Sequence, residues 1–136
     1  KEFQKLASTS PEAAYQLGFC FLDGKGVEKD EKKGMQWLLD AAQRDWPDAQ
    51  HQVAQLYQVR DPEKAFSWYL RAAKLGHADA QYHVARCYLG QEPGALRSET
   101  AALFWLQQAA DQFHLPARQE LKKKGPPKDT YVRVMK

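Results

Sequence analysis

The sequence predicts an all-α fold, an α/α solenoid (superhelix) of about three helix-pair repeats with partial units at both ends. Three segments of the 136-residue chain align with one another column by column. Their apolar residues recur every four positions, as they do along one face of a helix, and no segment shows the strict alternation of a β-strand. Internal similarity at a period of 30 to 40 residues is typical of stacked helical units.

The first helix of each repeat combines an apolar stripe with a small residue beside it. The three segments start at Ala13, Ala49 and Ala80 and read AAYQLGFCF, AQHQVAQLY and AQYHVARCY. The small residue is Gly18 in the first repeat and an alanine in the other two. We expect this position to permit a close approach between neighbouring helices.

The second helix of each repeat pairs one tryptophan with two alanines that begin four residues later. The tryptophans are Trp37, Trp68 and Trp105, and the alanine pairs keep the same intervals of 31 and 37 residues. A large side chain next to a flat alanine surface favours packing between helices. We therefore expect all three tryptophans to be largely buried between units.

The connectors differ between repeats. In the first, Gly24 and Gly26 predict at least one positive φ in the most demanding loop of the chain, and Asp30 is expected to cap the next helix. Asp61 and Pro62 predict an N-cap and a first helical position in the second repeat. The third repeat has a longer loop over residues 90–97, before a helix led by Ser98 that shows a weaker cap pattern.

The ends of the second helices differ in one column. Gly76 closes the second helix of repeat two, where glycine adopts the left-handed conformation without cost. Asp45 and Phe113 occupy this position in the other repeats. We expect those two helices to end less sharply.

The first repeat resembles the Sel-one-like repeat family, which is related to tetratricopeptide repeats. The resemblance lies in the Leu17-Gly18 pair, the G-x-G-V connector that starts at Gly24, and the K-x-x-x-W-x-x-x-A-A segment that starts at Lys33. Repeats two and three match in the helices and lack the connector. The predicted division of the chain is a partial preceding helix (1–11), repeats at 12–47, 48–78 and 79–115, a partial fourth helix (116–124) and a basic tail (125–136).

Composition places the chain among globular domains, with 43% hydrophobic and 27% charged residues. No apolar run reaches the roughly 20 residues that span a bilayer, and the first residues lack the apolar segment of a signal peptide. The compartment stays open between the cytoplasm and a bacterial periplasm or export. Cys20 and Cys87 fall in the same column of different repeats, so they are expected to be separate free thiols.

No catalytic motif is present: the sequence contains no Ser-x-x-Lys, no Gly-x-Ser-x-Gly, no phosphate-binding loop and no His-Glu-x-x-His. We predict that the protein is not an enzyme and needs no cofactor. His83 and Cys87 have the spacing of two metal ligands on one helix face, with His51 as the nearest third candidate. A semi-buried thiol with a polar neighbour is the favoured interpretation, and no metal is predicted.

The resemblance implies a protein-interaction module, an adaptor or scaffold whose first helices line a concave surface that holds a partner protein or peptide. A narrower version is an inhibitor or immunity protein of a bacterial toxin. Carried over from the related repeats, the partner-binding residues are Tyr15, Phe19, His51, Gln55, Tyr82, Arg86, Gln119 and Lys123. We expect an apolar anchor of the partner near Phe19 and an acidic group near Arg86. Alternatively, Tyr15 and Phe19 pack against the partial helix at Phe3 and Leu6.

A competing function is binding of a polyanion, either nucleic acid or an anionic membrane, through the basic end of the chain. Residues 117–136 carry seven Lys/Arg and two Asp/Glu, whereas the formal net charge of the whole chain is only +3. Tyr131 is the one aromatic residue there, so base stacking has little support. The partial units also fit a fragment of a longer repeat array, and the oligomeric state is open.

Overall fold

The computed structural model describes residues 10–124, which form seven α-helices and no strand. Short connectors join the helices in sequence. In chain order they are α1 (Pro11–Asp23), α2 (Glu31–Gln43), α3 (Pro47–Tyr57), α4 (Pro62–Lys74), α5 (Ala78–Tyr88), α6 (Glu99–Asp111) and α7 (Leu115–Lys124). The predicted all-α repeat fold is confirmed.

Each helix packs mainly against the helix before it and the helix after it in sequence, as in a solenoid. The first helices of the repeats are α1, α3 and α5, and the second helices are α2, α4 and α6. The alanine pairs of the second helices lie in the core and are at most 5% exposed. Small side chains at these positions let the next helix pack closely.

Helices α1 and α2 approach each other at a distance that only glycine permits. A Cβ atom on Gly18 would lie 2.8 Å from Leu38 Cγ and 3.0 Å from the carbonyl oxygen of Gly34. A Cβ atom on Gly34 would lie 2.9 Å from the carbonyl oxygen of Gly18. The predicted role of Gly18 is confirmed, and Gly34 is the matching contact on the second helix.

Of the three tryptophans, only Trp68 is buried, with 8% of its surface exposed. Trp37 and Trp105 are half-buried and pack against the core, so the expectation that all three are largely buried is met most fully by Trp68. Trp68 lies in the middle repeat, which has a complete repeat on either side of it. Within residues 10–124, Trp37 and Trp105 lie in outer repeats, each of which has a complete repeat on one side only.

The positive φ predicted for the first connector is present, but the prediction that this loop is the most demanding one is wrong. Gly24 and Gly26 both have positive φ, at 73° and 72°. The third connector is as demanding as the first, because Gly90 and Gly94 have φ values of 79° and 126°. Asp30 and Asp61 cap their helices as predicted, and Ser98 also caps its helix although its sequence pattern is weaker. The side chains of Asp30, Asp61 and Ser98 accept hydrogen bonds from the backbone N–H of Lys33, Lys64 and Ala101.

The expectation that two second helices end less sharply is wrong. Asp45 and Phe113 both adopt the left-handed conformation of Gly76, each with φ of 64°. All three residues donate the same backbone hydrogen bond, to the second alanine of the preceding pair: Asp45 to Ala42 at 3.1 Å, Gly76 to Ala73 at 3.0 Å and Phe113 to Ala110 at 2.9 Å. The chain therefore completes the same turn in every repeat and accepts backbone strain where the residue is not glycine.

Candidate functional site: the first-helix face

The first helices carry partly exposed rings on one side. The rings of Tyr15 and Phe19 meet edge to face with their centroids 4.9 Å apart. Burial, and after it the negative charge of Asp48 in α3, raises the pKa of Tyr15. Below, the first-helix face is the side of the first helices that carries the predicted residues Tyr15, Phe19, His51, Gln55, Tyr82, Arg86, Gln119 and Lys123.

His51 lies in a cluster of rings. Its imidazole stacks on His77 at a centroid distance of 4.7 Å and lies 5.5 Å from His83 and 5.7 Å from Tyr69. Burial, followed by the neighbouring His77 and His83, lowers the pKa of His51 to about 4. His51 is therefore neutral at physiological pH.

Histidine side chains also connect successive first helices. His77 is the N-cap of α5: its Nδ1 accepts the backbone N–H of Ala80 at 3.1 Å, and its Nε2 lies 3.0 Å from Asp48 of α3. The same arrangement recurs one repeat later, where the ring of His114 caps α7 at Ala117 and pairs with Asp79 at 2.7 Å. With Nδ1 as the acceptor, the Nε2–H group donates to the carboxylate.

Glu92 enters this surface from the connector between α5 and α6. One carboxylate oxygen accepts a hydrogen bond from Gln58 Nε2 at 3.1 Å, and the other accepts one from His83 Nδ1 at 3.0 Å. Arg86 Nε lies 3.9 Å from the same carboxylate, whose side chain is only 9% exposed. An acidic group was expected near Arg86 as part of a partner, and the chain supplies one of its own.

Tyr69 of α4 orients two of the groups around this carboxylate. Its hydroxyl donates to Gln58 Oε1 at 3.0 Å, and its ring stacks on His83 at a centroid distance of 4.5 Å. Tyr69 is almost fully buried. Repeat periodicity does not indicate that Tyr69, Gln58 or Glu92 belongs to this surface.

The other predicted residues extend the surface toward the C-terminal end. The ring of Tyr82 lies 5.0 Å from His114, and the guanidinium of Arg86 lies 5.7 Å from the Tyr82 ring. Gln55, Gln119 and Lys123 are exposed. The predicted contacts of Phe3 and Leu6, and the basic residues beyond Lys124, lie outside the described residues.

Both cysteines are free thiols, as predicted. Cys87 is buried and donates to the carbonyl oxygen of Pro93 at 3.6 Å. Burial, with the charge of Glu92 as the next cause, raises the pKa of Cys87 to about 12. Within residues 10–124, no group of three or more His, Cys, Asp or Glu side chains could hold a metal ion. No helix in that part of the chain is long and apolar enough to cross a membrane.

The sequence matches the Sel1 repeat over three consecutive stretches, residues 11–46, 47–77 and 78–112. A search of curated proteins gives no significant match.

Two solved structures are similar to the chain over most of its length. The Sel1 repeat protein from Oxalobacter formigenes is 29% identical, with a TM-score of 0.86 over 90% of this chain and 96% of that one. A protective antigen present in uropathogenic Escherichia coli strains, which displays an SLR fold, is 26% identical, with a TM-score of 0.79. That match covers 88% of this chain and 27% of the antigen.

Proposed function

Because the chain belongs to the Sel1 repeat family, whose repeats generally mediate protein–protein interactions, we propose that it binds a partner protein or peptide on the first-helix face. The proposed role is that of an adaptor or scaffold, which acts by binding and not by catalysis. The partner lies along the first helices, and the expected binding residues remain Tyr15, Phe19, His51, Gln55, Tyr82, Arg86, Gln119 and Lys123.

One observation carries this proposal: the aromatic rings of this face are partly exposed, and each already contacts a neighbouring side chain. Tyr15 and Phe19 are in edge-to-face contact, and the Tyr82 ring lies close to both Arg86 and His114. Tyrosine, phenylalanine and arginine are enriched in interfaces. Side chains that are ordered before binding lose less entropy when a partner arrives.

A narrower version of the proposal is an inhibitor or immunity protein that sequesters one bacterial toxin. It predicts a single stoichiometric enzyme partner whose activity disappears in the complex. An adaptor, in contrast, leaves the activity of its partner intact. Activity of the isolated partner, measured with and without one equivalent of this protein, separates the two versions.

The experiment uses one exposed residue on the proposed surface and a matched one elsewhere. The partner is first isolated from the native host on the immobilised chain, and its affinity is then measured by calorimetry. Gln55→Glu places a charge on the first-helix face, whereas Gln36→Glu makes the same change at an exposed position of α2. We expect at least a tenfold loss of affinity for Gln55→Glu and less than a twofold change for Gln36→Glu. Equal affinities would place the binding surface elsewhere.

A second candidate function is polyanion binding, supported by three exposed lysines in the last turn of α7, Lys122, Lys123 and Lys124. Contacts with phosphate groups release counterions, so such binding weakens steeply as salt increases. The test is binding to duplex DNA and to anionic vesicles between 50 and 200 mM salt, about the range over which such contacts lose most of their affinity. Binding that is absent or independent of salt rejects this candidate, and binding that persists when the three lysines are replaced by glutamine shows that the last turn of α7 does not carry it.

A further inference from the structure

The carboxylate of Glu92 occupies a site whose donors all belong to other segments of the chain. Gln58 directly follows α3, and His83 and Arg86 lie on α5. The buried ring of Tyr69 fixes two of these donors: its hydroxyl turns the amide of Gln58, and its face supports the imidazole of His83. These donors therefore keep their orientation through contacts in which Glu92 takes no part.

Glu92 itself lies on the connector between α5 and α6, whose backbone is held independently of its carboxylate. The connector is held next to α5 by backbone hydrogen bonds, from Gln91 N to Arg86 O at 3.0 Å and from Ser98 N to Tyr88 O at 2.9 Å. Neither bond involves the side chain of Glu92. The cost of displacing the carboxylate is thus the loss of its hydrogen bonds, not the unfolding of the connector.

The donors are incompletely used while Glu92 is bound. Arg86 Nε is buried and has no hydrogen-bond partner, because the distance of 3.9 Å to the carboxylate is too long for a hydrogen bond. A buried donor without a partner is unfavourable, and a guanidinium binds a carboxylate best through two parallel hydrogen bonds. The Arg86 side chain as a whole is 36% exposed, so its buried Nε lies at the edge of the surface and becomes reachable where the Glu92 carboxylate moves away.

We propose that Glu92 is an internal substitute for the partner, and that a glutamate or aspartate side chain of the partner displaces it from Gln58, His83 and Arg86. This inference rests on the proposed function, because it identifies the acidic group that binds to the first-helix face. The incoming carboxylate gains the hydrogen bond to Arg86 that Glu92 leaves unmade. The Glu92 side chain thereby restricts the site to partners that present an acidic residue at this position.

The test requires no knowledge of the natural partner. Two capped tripeptides serve as probes, Ac-Ala-Glu-Ala-NH2 and its glutamine equivalent, and binding is followed by NMR at the Gln58 side-chain amide and the Arg86 Nε–H. Glu92→Ala vacates the site, so we expect it to bind the glutamate peptide at least tenfold more tightly than the unmodified protein does. The glutamine peptide should produce no saturable shift. Glu63→Ala, at an exposed position in the first turn of α4, is the matched control and should behave like the unmodified protein.

Glu92→Gln keeps the side-chain volume and removes the charge, so it provides the same comparison if Glu92→Ala does not fold. It should also bind the glutamate peptide more tightly than the unmodified protein, because a neutral amide is displaced more easily than a carboxylate. Equal affinity of all three proteins, or equal binding of both peptides, would show that Glu92 is a permanent structural residue. In that case the proposed function still stands if Gln55→Glu weakens binding of the natural partner, and it fails independently if that variant has no effect.

Discussion

The side-chain amide of Gln50 donates a hydrogen bond of 2.9 Å to the backbone carbonyl of Ala42, which connects the start of α3 to the end of α2. The carbonyls of the last helical turn have no partner within their own helix. The contact recurs in the next two repeats with the same separation of eight residues: Gln81 Nε2 donates to Ala73 at 3.1 Å and Arg118 Nε donates to Ala110 at 3.0 Å. One position of the repeat therefore joins each unit to the preceding one.

We predict that Gln50→Ala lowers the free energy of unfolding by about 2 kcal/mol. Gln50 is completely buried, so the change leaves a small cavity and removes a donor from the end of α2. Gln55→Ala, on the same helix and exposed, should change the stability by less than about 0.5 kcal/mol. Urea denaturation measures both variants. Equal stability of the two would mean that the bond contributes nothing to the joint between repeats.

The sequence predicts the repeats well because apolar periodicity and capping are local signals. Asp30 and Asp61 precede helices at the expected positions, and each accepts the expected backbone hydrogen bond. The joint between repeats has no such signal, since the position that holds Gln50 is occupied by arginine in α7 and by alanine in α1. Glutamine and arginine make the same hydrogen bond to a backbone carbonyl at this position, and an alignment by residue type does not reveal that contact.

The candidate site could be predicted only in part, for a different physical reason. Tyr82 and Arg86 lie on a helix, where spacing determines which side chains are neighbours. Glu92 lies on a connector of irregular conformation, and its contact with Gln58 joins residues 34 apart in the chain. The path of that connector depends on backbone conformations such as φ of 126° at Gly94, which periodicity does not indicate.

Gly76 and Phe113 occupy the same position of the repeat, so they give a matched test of left-handed strain. Gly76→Ala should lower the free energy of unfolding by about 1 kcal/mol, because its φ of 97° disfavours a side chain although nothing lies within 4 Å of the added Cβ. Phe113→Gly relieves similar strain and loses only an exposed contact with Arg118, so it should raise the free energy by about 0.5 kcal/mol. Thermal or urea unfolding measures both, and destabilisation by both variants would contradict the explanation.

The tryptophans should contribute unequally to stability. Trp68→Ala is expected to cost about 3–5 kcal/mol, the usual range for a buried aromatic residue. Trp37→Ala and Trp105→Ala should each cost clearly less, because both side chains are half-buried and leave smaller cavities. Denaturant midpoints of the three variants, measured with an unchanged m-value, test this order. Equal losses would mean that burial does not determine how much each repeat stabilises the chain.

His51 should make the protein less stable as the pH falls from about 6.5 to 4. The ordinary pKa of histidine is 6.5, and the folded protein lowers the pKa of His51 to about 4, so between these values the unfolded chain binds the proton and the folded chain does not. The groups that face His51 come from its own helix and from α4 and α5: Asp48, Tyr69, His77, Asp79 and His83.

The size of this loss is about 1–2 kcal/mol, reduced from the full pKa difference because the ring is partly exposed. His51→Gln removes the titrating group and keeps a polar side chain, while every other ionisable residue is present in both proteins. When the pH is lowered from 7 to 4.5, the free energy of unfolding of the unmodified protein should therefore fall by about 1–2 kcal/mol more than that of His51→Gln. Parallel stability curves, or an NMR titration that gives His51 a pKa near 6.5, would show that the ring cluster does not keep this histidine neutral.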